Sequence, residues 1–291
     1  MDQTIIDLYD GFTHGRINRR DFFERLTAIA GSAAAASSLY ATLRPDYARA
    51  AVVADNDPRL AIDTMTYGSA QGKISGYLAR PRNTARRPAI LVIHENRGLT
   101  PHIKDVARRL AIEGFLALAV DLLSTKGGTP ADEDKAREMF GSLDLGEIAM
   151  QCASGVSAMN GHPESTGRTG IVGFCWGGGM VDRTAMIAPD LAAAVSYYGP
   201  IPPDKSKVKD IRAPLLLHYA GLDTFVNPEI PAWEKALKAA GKTYTIYMYE
   251  GVNHAFNNDT AGPRYNKQAA DLAWSRTIAF FKDHVGTPQG A

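Results

Sequence analysis

The sequence predicts an α/β fold in which a mostly parallel sheet of eight strands carries helices on both faces. From about residue 58 onward, strand-like apolar runs alternate with helix-like amphipathic segments, as in parallel sheets. Central runs such as 88–94 (PAILVIH) are continuously apolar, as expected for strands that are buried on both faces. Residues 1–57 lack this alternation and predict a helical extension, so we assign the α/β domain to residues 58–291.

The predicted elements begin with a hairpin. Runs 62–68 and 73–80 flank Ser-Ala-Gln-Gly and predict two antiparallel strands. Six further strands are predicted at 88–94, 115–121, 168–174, 192–198, 214–220 and 243–250. Helices are predicted at 103–114, 133–141, 145–160, 229–240 and 265–285, with a loop at 122–132 and a helix-like run directly after residue 178.

Composition excludes several classes of function. The 291 residues are 45% apolar and 22% charged, with a formal net charge of +1. Such a chain has no basic field for nucleic acid, so we expect no nucleic-acid partner. No apolar stretch approaches the roughly 18 residues of a membrane span. The two cysteines, Cys152 and Cys175, predict no disulfide framework, and the oligomeric state is not readable.

The first 50 residues allow two interpretations. A twin arginine in Asn18–Leu26 (NRRDFFERL), an Ala/Ser-rich run and a small-x-small site at 48–50 (ARA) resemble a twin-arginine export signal, which implies a periplasmic protein. Alternatively, the segment is an amphipathic helical arm packed on the domain of a cytoplasmic protein, with Arg19 and Arg20 solvated. The acidic residues that follow the arginines weaken the export interpretation.

One short motif, GFCWGG at 173–178, places a cysteine at a glycine-flanked turn between a strand and a helix. It matches G-x-S-x-G with sulfur in place of oxygen, and that pattern makes a strained, exposed turn. The helix start would direct unpaired N–H groups at the sulfur of Cys175. A small buried cysteine at a tight turn is the alternative interpretation.

A cysteine nucleophile needs a base and a group that orients the base. Asp223 and His254 each follow a predicted strand, as Cys175 does, and ligands bind beyond the carboxyl ends of parallel strands. The chain order nucleophile, acid, histidine is that of α/β-hydrolases. Taken singly, such residues are more often turn or cap residues. Together they predict a catalytic triad on an α/β-hydrolase fold.

Four motifs resemble those of the dienelactone hydrolase family, the carboxymethylenebutenolidases. They are HENRGL (94–99), GFCWGGG (173–179), HYAGLDTFV (218–226) and YEGVNHAF (249–256), and the similarity covers about residues 60–285. The resemblance implies hydrolysis of a small ester or lactone without a cofactor or metal. A broad carboxylesterase or thioesterase, or a catalytically silent binding protein, are the alternatives.

The resemblance also implies a role for each site residue. Cys175 attacks the carbonyl and forms a thioester, His254 handles the proton, and Asp223 orients His254. The backbone N–H groups of Asn96 and Trp176 form the oxyanion hole.

The loop after the third strand carries a further predicted site residue. Glu95 matches a glutamate that contacts the resting thiol and moves when substrate binds. Its alternative interpretation is a surface carboxylate or a partner of Arg97. His94 is interpreted as strand-end structure, because HENRG lacks the spacing of a metal-binding HExxH motif.

One departure from the family concerns the substrate. Family members that act on the carboxylated dienelactone bind it with arginines, one of them at the position of Asn258 in this sequence. An amide cannot make the charge-assisted pairing of a guanidinium. Arg97 and Arg264 lie near but do not match, so a different ester or lactone is the expected substrate. Trp176, Phe225 and Phe256 either line an acyl pocket or belong to the core.

Overall fold

A computed structural model describes residues 1–47, 51–83 and 85–287. Within them, eight strands form one sheet in the order β1-β2-β4-β3-β5-β6-β7-β8. The strands are β1 Leu60–Ser69, β2 Gly72–Pro81, β3 Arg87–Ile93, β4 Leu116–Asp121, β5 Ser165–Phe174, β6 Leu191–Tyr197, β7 Leu215–Ala220 and β8 Tyr244–Tyr249. The strand pairs β1–β2 and β2–β4 are antiparallel, and every other pair is parallel. The predicted fold class is confirmed.

The helices of the α/β domain overlap the predicted ranges. They are α4 Pro101–Ile112, α5 Glu133–Gly141, α6 Leu145–Asn160, α7 Trp176–Ala185, α8 Ile230–Ala239 and α9 Lys267–His284. Of the boundaries that differ from prediction, two have clear local reasons. Helix α4 begins two residues early because proline is well accommodated in a first turn. Helix α9 begins at Lys267 because the Asn266 side chain caps it by accepting from the Ala269 N–H.

Each face of the sheet carries its own apolar cluster, because alternate residues of a strand point to opposite faces. Leu91 of β3 belongs to the cluster shared with α6, α7 and α8. Its neighbours Ile90 and Val92 belong to the cluster shared with α4 and α9. The sheet is therefore a middle layer, and its carboxyl edge is the place where loops from several strands meet.

Three helices precede the sheet, and we call them the arm: α1 Gln3–Thr13, α2 Arg19–Ala30 and α3 Ala33–Leu43. They share a small apolar core formed by Ile5, Tyr9, Phe12, Phe22, Leu26, Ala36 and Leu43. The expectation that both arginines are merely solvated is wrong for Arg19, which pairs with Asp134 of α5, whereas the exposed Arg20 pairs with Glu24. The predicted cleavage site at 48–50 lies outside the described residues.

Among the described residues, no single helix has the length and apolarity needed to cross a membrane. The pair α2 and α3 would satisfy those criteria only together, across a bend of 111°.

Candidate active site

Cys175 stands at the turn between β5 and α7, in the strained backbone that the motif predicts. Its φ is 53° and its ψ is −121°, a backbone conformation that residues other than glycine rarely adopt. A Cβ on Gly173 would lie 2.2 Å from the Gly177 carbonyl oxygen, and a Cβ on Gly177 would lie 2.3 Å from the His94 carbonyl oxygen. Both glycines are therefore required by the close approach of the backbone.

The two cysteines differ in their surroundings although both are free thiols. Cys152 lies inside α6 in the apolar core, fully buried, and burial raises the pKa of its thiol to about 12. Cys175 is 6% exposed and has imidazole nitrogens beside its sulfur. Only Cys175 is placed where a thiolate would find a positive partner.

His254 and Asp223 meet as the sequence predicts. The Nδ1 of His254 donates a hydrogen bond to Oδ2 of Asp223 at 2.6 Å, and both side chains are buried. The other oxygen of Asp223 accepts from the N–H groups of Phe225 and Val226 at 2.9 and 3.0 Å. The carboxylate is thus fixed by its own loop, and it fixes the imidazole.

Asp223 and His254 each stabilise the charged form of the other. Burial alone would lower the pKa of His254, but the Asp223 carboxylate and the Cys175 sulfur raise the pKa of the imidazole well above its usual range. Burial alone would raise the pKa of Asp223, yet interaction with His254 lowers it below its usual range. The arrangement therefore favours an imidazolium next to the sulfur atom.

The oxyanion hole predicted from the backbone N–H groups of Asn96 and Trp176 stays a prediction. Trp176 is the first residue of α7, and Asn96 follows β3 on the neighbouring loop. Neither N–H donates a backbone hydrogen bond within the described part of the chain, so both are free for a ligand. The side chain of Asn96 points elsewhere, and its amide donates to the Thr13 carbonyl of the arm at 2.8 Å.

Glu95 is 5% exposed, so its interpretation as a surface carboxylate is wrong. Its carboxylate accepts a hydrogen bond from the Asn258 amide at 2.9 Å. Arg97, the other suggested partner, forms an ion pair with Glu133 at 3.2 Å. Asn258 is itself fully engaged, because its oxygen accepts from both the N–H and the hydroxyl of Thr260. Asn258 therefore positions Glu95.

His94 has the structural role that was expected of it. Its Nδ1 lies 2.7 Å from the Glu95 carbonyl oxygen, and its Nε2 accepts from the Leu122 N–H at 3.2 Å. With both ring nitrogens used by the backbone, the ring ties the loop after β3 to the loop after β4.

The arm contributes a residue that the sequence did not predict. His14, which follows α1, places its Nε2 3.2 Å from Nε2 of His254 and 3.5 Å from Sγ of Cys175. Its ring stacks on Phe225, with 4.4 Å between the ring centroids. Its Nδ1 lies 2.7 Å from the Asp10 carbonyl oxygen. Burial and the neighbouring His254 hold the pKa of His14 well below its usual range.

Four further contacts hold α1 on the α/β domain. Two involve the arginines that were considered as substrate binders: Arg264 pairs with Asp10 at 3.0 Å, and Arg97 donates to the Tyr9 hydroxyl at 2.9 Å. The others are the Asn96–Thr13 hydrogen bond and a 2.5 Å hydrogen bond between the Gln3 and Asn253 amides. Both candidate cations are therefore occupied by the arm.

A cleft of about 610 Å³ lies between the arm and the domain. Trp176, Phe225 and His14 are among its lining residues. Phe256, by contrast, is fully buried against Tyr198 and Tyr249. Of the three aromatic residues left open by the sequence, two line the cleft and one belongs to the core.

Sequence reasoning missed His14 because nothing local marks it. It is a single histidine between a helix and a glycine, outside any recognisable motif. The only available signal was the helical character of the extension, which indicated an arm but not the face it covers.

Comparison with known proteins agrees with the geometry. The sequence model of the dienelactone hydrolase family matches residues 74–285, and one described as YqhI-like matches residues 1–31. A relative from Escherichia coli, named "Putative carboxymethylenebutenolidase", is 32% identical over 279 residues, which cover 89% of this chain and 97% of that protein. A protein of the same name from Methylorubrum extorquens is 30% identical over 274 residues, covering 89% and 93%.

A solved structure is similar in fold. The "Putative Dienelactone Hydrolase" from Klebsiella pneumoniae superposes with a TM-score of 0.69 at 28% identity, covering 77% of this chain and 100% of that one.

Proposed function

The chain belongs to the dienelactone hydrolase family, and we propose that it hydrolyses a small ester or lactone with Cys175 as the nucleophile. One observation carries the proposal. The buried Asp223 carboxylate is hydrogen-bonded to His254, whose Nε2 lies within 4.8 Å of the Cys175 sulfur, and the strained turn holds that sulfur at the start of α7. This is the arrangement that activates a thiol for acyl transfer.

In the first half of the reaction, the sulfur of Cys175 attacks the substrate carbonyl carbon and His254 takes up the thiol proton. The carbonyl π electrons move to oxygen, and the N–H groups of Asn96 and Trp176 donate to that oxyanion. Collapse of the tetrahedral intermediate breaks the carbon–oxygen bond and leaves a thioester on Cys175. His254 returns the proton to the leaving oxygen.

In the second half, His254 removes a proton from water, which attacks the thioester carbonyl. The second tetrahedral intermediate expels the sulfur of Cys175, to which His254 returns the proton, and releases the carboxylic acid. Asp223 keeps the His254 Nδ1–H in place through both halves, so that Nε2 always faces the reacting atoms. Loss of one oxyanion donor in such sites costs on the order of 10²–10³ in rate.

We propose that Glu95 gates the thiol, as the resemblance to the family implies. Its buried carboxylate is oriented by Asn258, and a negative charge there opposes formation of a second negative charge on the sulfur. Displacement of the Glu95 side chain by substrate would lower this opposition. Glu95→Gln should then increase the alkylation rate of Cys175 at neutral pH, while Glu95→Asp should restore most of the wild-type value.

The substrate is proposed to be an ester or lactone without an obligatory carboxylate. Asn258 replaces an expected arginine, and its amide is consumed by Glu95 and Thr260. Arg97 and Arg264 are engaged by Tyr9 and Asp10. No guanidinium among these positions is therefore left free to select a substrate carboxylate.

The test is hydrolysis of a chromogenic acetate ester, with and without a chelator, by wild type, Cys175→Ala and the matched control Cys152→Ala. Because His14 lies on the sulfur, each is also measured in the His14→Ala background. We expect loss of turnover in Cys175→Ala only. Equal activity of Cys175→Ala and wild type in both backgrounds would remove the cysteine mechanism.

We also propose that residues 1–50 remain on the working protein, which then acts in the cytoplasm. The arm's apolar core and its ion pairs with the domain support retention, since cleavage would leave those partners exposed. Mass spectrometry of the native protein should find a terminus at Met1 or Asp2. A terminus at Ala51 would instead favour export to the periplasm.

A further inference from the structure

The meeting point of the arm and the domain holds three ligand atoms that suit a transition metal. Nε2 of His14, Sγ of Cys175 and Nε2 of His254 all lie within 4.8 Å of one another. One residue comes from the arm and two from the predicted triad, and Cys175 and His254 are both buried. Nitrogen and thiolate sulfur are the ligands that zinc prefers in proteins.

Two of the three distances agree with the edges of a tetrahedral zinc site, and the third, from Sγ of Cys175 to Nε2 of His254, is within 4.8 Å. Zinc–nitrogen bonds of about 2.0–2.1 Å and a zinc–sulfur bond of about 2.3 Å place two nitrogens about 3.3 Å apart, and nitrogen and sulfur about 3.5 Å apart. The observed separations are 3.2 Å between the two Nε2 atoms and 3.5 Å between His14 Nε2 and the sulfur. The donor atoms therefore need little movement to bind one ion.

The hydrogen bonds made by Nδ1 of His14 and of His254 are also those expected of zinc-binding histidines. A zinc-bound imidazole donates its second N–H to a carboxylate or a backbone carbonyl, which fixes the ring. Nδ1 of His254 meets the Asp223 carboxylate at 2.6 Å, and Nδ1 of His14 meets the Asp10 carbonyl oxygen at 2.7 Å. Each contact directs the opposite ring nitrogen, Nε2, at the shared position.

We propose that this chain binds one Zn²⁺ through His14, Cys175 and His254, and that the bound ion silences the cysteine. The ion replaces the one proton that Cys175 and His254 hold between them, which leaves to solvent, so that the sulfur and Nε2 of His254 both become zinc ligands. Three protein ligands leave a fourth position for water. The binding site is independent of the proposed hydrolase function, but the silencing rests on it.

The test uses the full chain freed of metal by a chelator and then titrated with Zn²⁺, or with Co²⁺ as a spectroscopic substitute. We expect one equivalent to bind, with a thiolate-to-cobalt charge-transfer band. His14→Phe keeps the ring stack on Phe225 but removes a ligand, and should weaken binding by at least about 100-fold, since even loss of an outer contact costs 10–100-fold. The partly exposed His284, changed to Ala, is the matched control and should bind as wild type.

Two results would overturn the site: no metal binding by wild type, or equal binding by wild type and His14→Phe. If His14→Phe does not fold, the near-isosteric Cys175→Ser must lose the charge-transfer band, and its retention would equally overturn the site. Zn²⁺ should also inhibit ester hydrolysis by wild type far more than by His14→Phe, and should protect Cys175 from alkylation. Metal binding without esterase activity in the metal-free protein would reject the proposed function alone, whereas activity without binding would reject the zinc site alone.

Discussion

The carboxyl edge of the sheet and the end of helix α1 meet at one sulfur atom, but they reach it in different ways. Cys175, Asp223 and His254 each stand on a loop at the carboxyl end of a strand, so the parallel sheet brings them together. His14 arrives from a separate helical unit, held by the ion pair of Asp10 with Arg264 and by other side-chain contacts. We therefore expect the proposed chemistry to depend on the sheet and access to the sulfur to depend on the docked arm.

The strongest way to test the sheet's part is to remove the group that orients the base. Asp223→Asn should lower kcat/KM by about 10³–10⁴, because an amide no longer enforces the His254 tautomer that presents Nε2 to the sulfur. Steady-state hydrolysis of the acetate ester measures it. Asp204→Asn, at an exposed turn, is the control. A reduction of less than tenfold would contradict the orienting role of Asp223.

A second prediction tests the arm's part. Phe22 is fully buried in the arm's core and stacks on Phe12 with ring centroids 4.6 Å apart. Phe22→Ala should cost the arm about 3–5 kcal/mol, and should therefore increase the alkylation rate of Cys175 by about 100-fold or more. Peptide mass spectrometry after a timed pulse of iodoacetamide gives the rate, with Cys152 as the internal reference.

The control for the arm is Leu272→Ala, since Leu272 is 45% exposed on α9. It should leave the alkylation rate of Cys175 unchanged. An unchanged rate in Phe22→Ala as well, together with circular dichroism showing a loosened arm, would mean that His14 does not limit access to the sulfur.

A third prediction compares two buried carboxyl groups. Asp10 of the arm is paired with Arg264, whereas neither carboxyl oxygen of Asp182 in α7 has a hydrogen-bond partner among the described residues. Burial raises the pKa of Asp182 to about 8. The folded state therefore keeps a proton that the unfolded state loses above about pH 4, and the free energy of unfolding falls as pH rises from about 4 to 8.

Removing that carboxyl should flatten the profile. The contribution of Asp182 has a slope of up to about 1.4 kcal/mol per pH unit in this window, and Asp182→Asn should abolish it. Urea unfolding at pH 5, 6, 7 and 8 measures the difference between the variant and wild type. The difference should grow with pH in favour of the variant, and a constant difference would show that Asp182 is ionised at neutral pH.

The sequence predicted the features that depend on neighbouring residues, but not the contacts between residues far apart in the chain. The strands, the strained turn and the triad were predicted because glycine spacing, apolar runs and strand ends are local signals. The partner of Glu95 was not, because Asn258 lies 163 residues away and takes its role only through packing. His14 and Cys175 are 161 residues apart in sequence. His14 belongs to the helical arm, which pairs with no strand of the sheet, so the strand and helix pattern of the sequence could not predict this contact.

The chain that joins the arm to the sheet is held on both sides. The N–H of Asp46 donates to the Thr260 carbonyl at 2.9 Å, and the N–H of Val53 donates to the Asp105 carboxylate at 2.9 Å. The arm is consequently a tethered ligand whose local concentration is set by chain geometry, in the millimolar range for short connections. Diluting the protein cannot release the arm from the site. A substrate must compete with the arm for the site at every protein concentration.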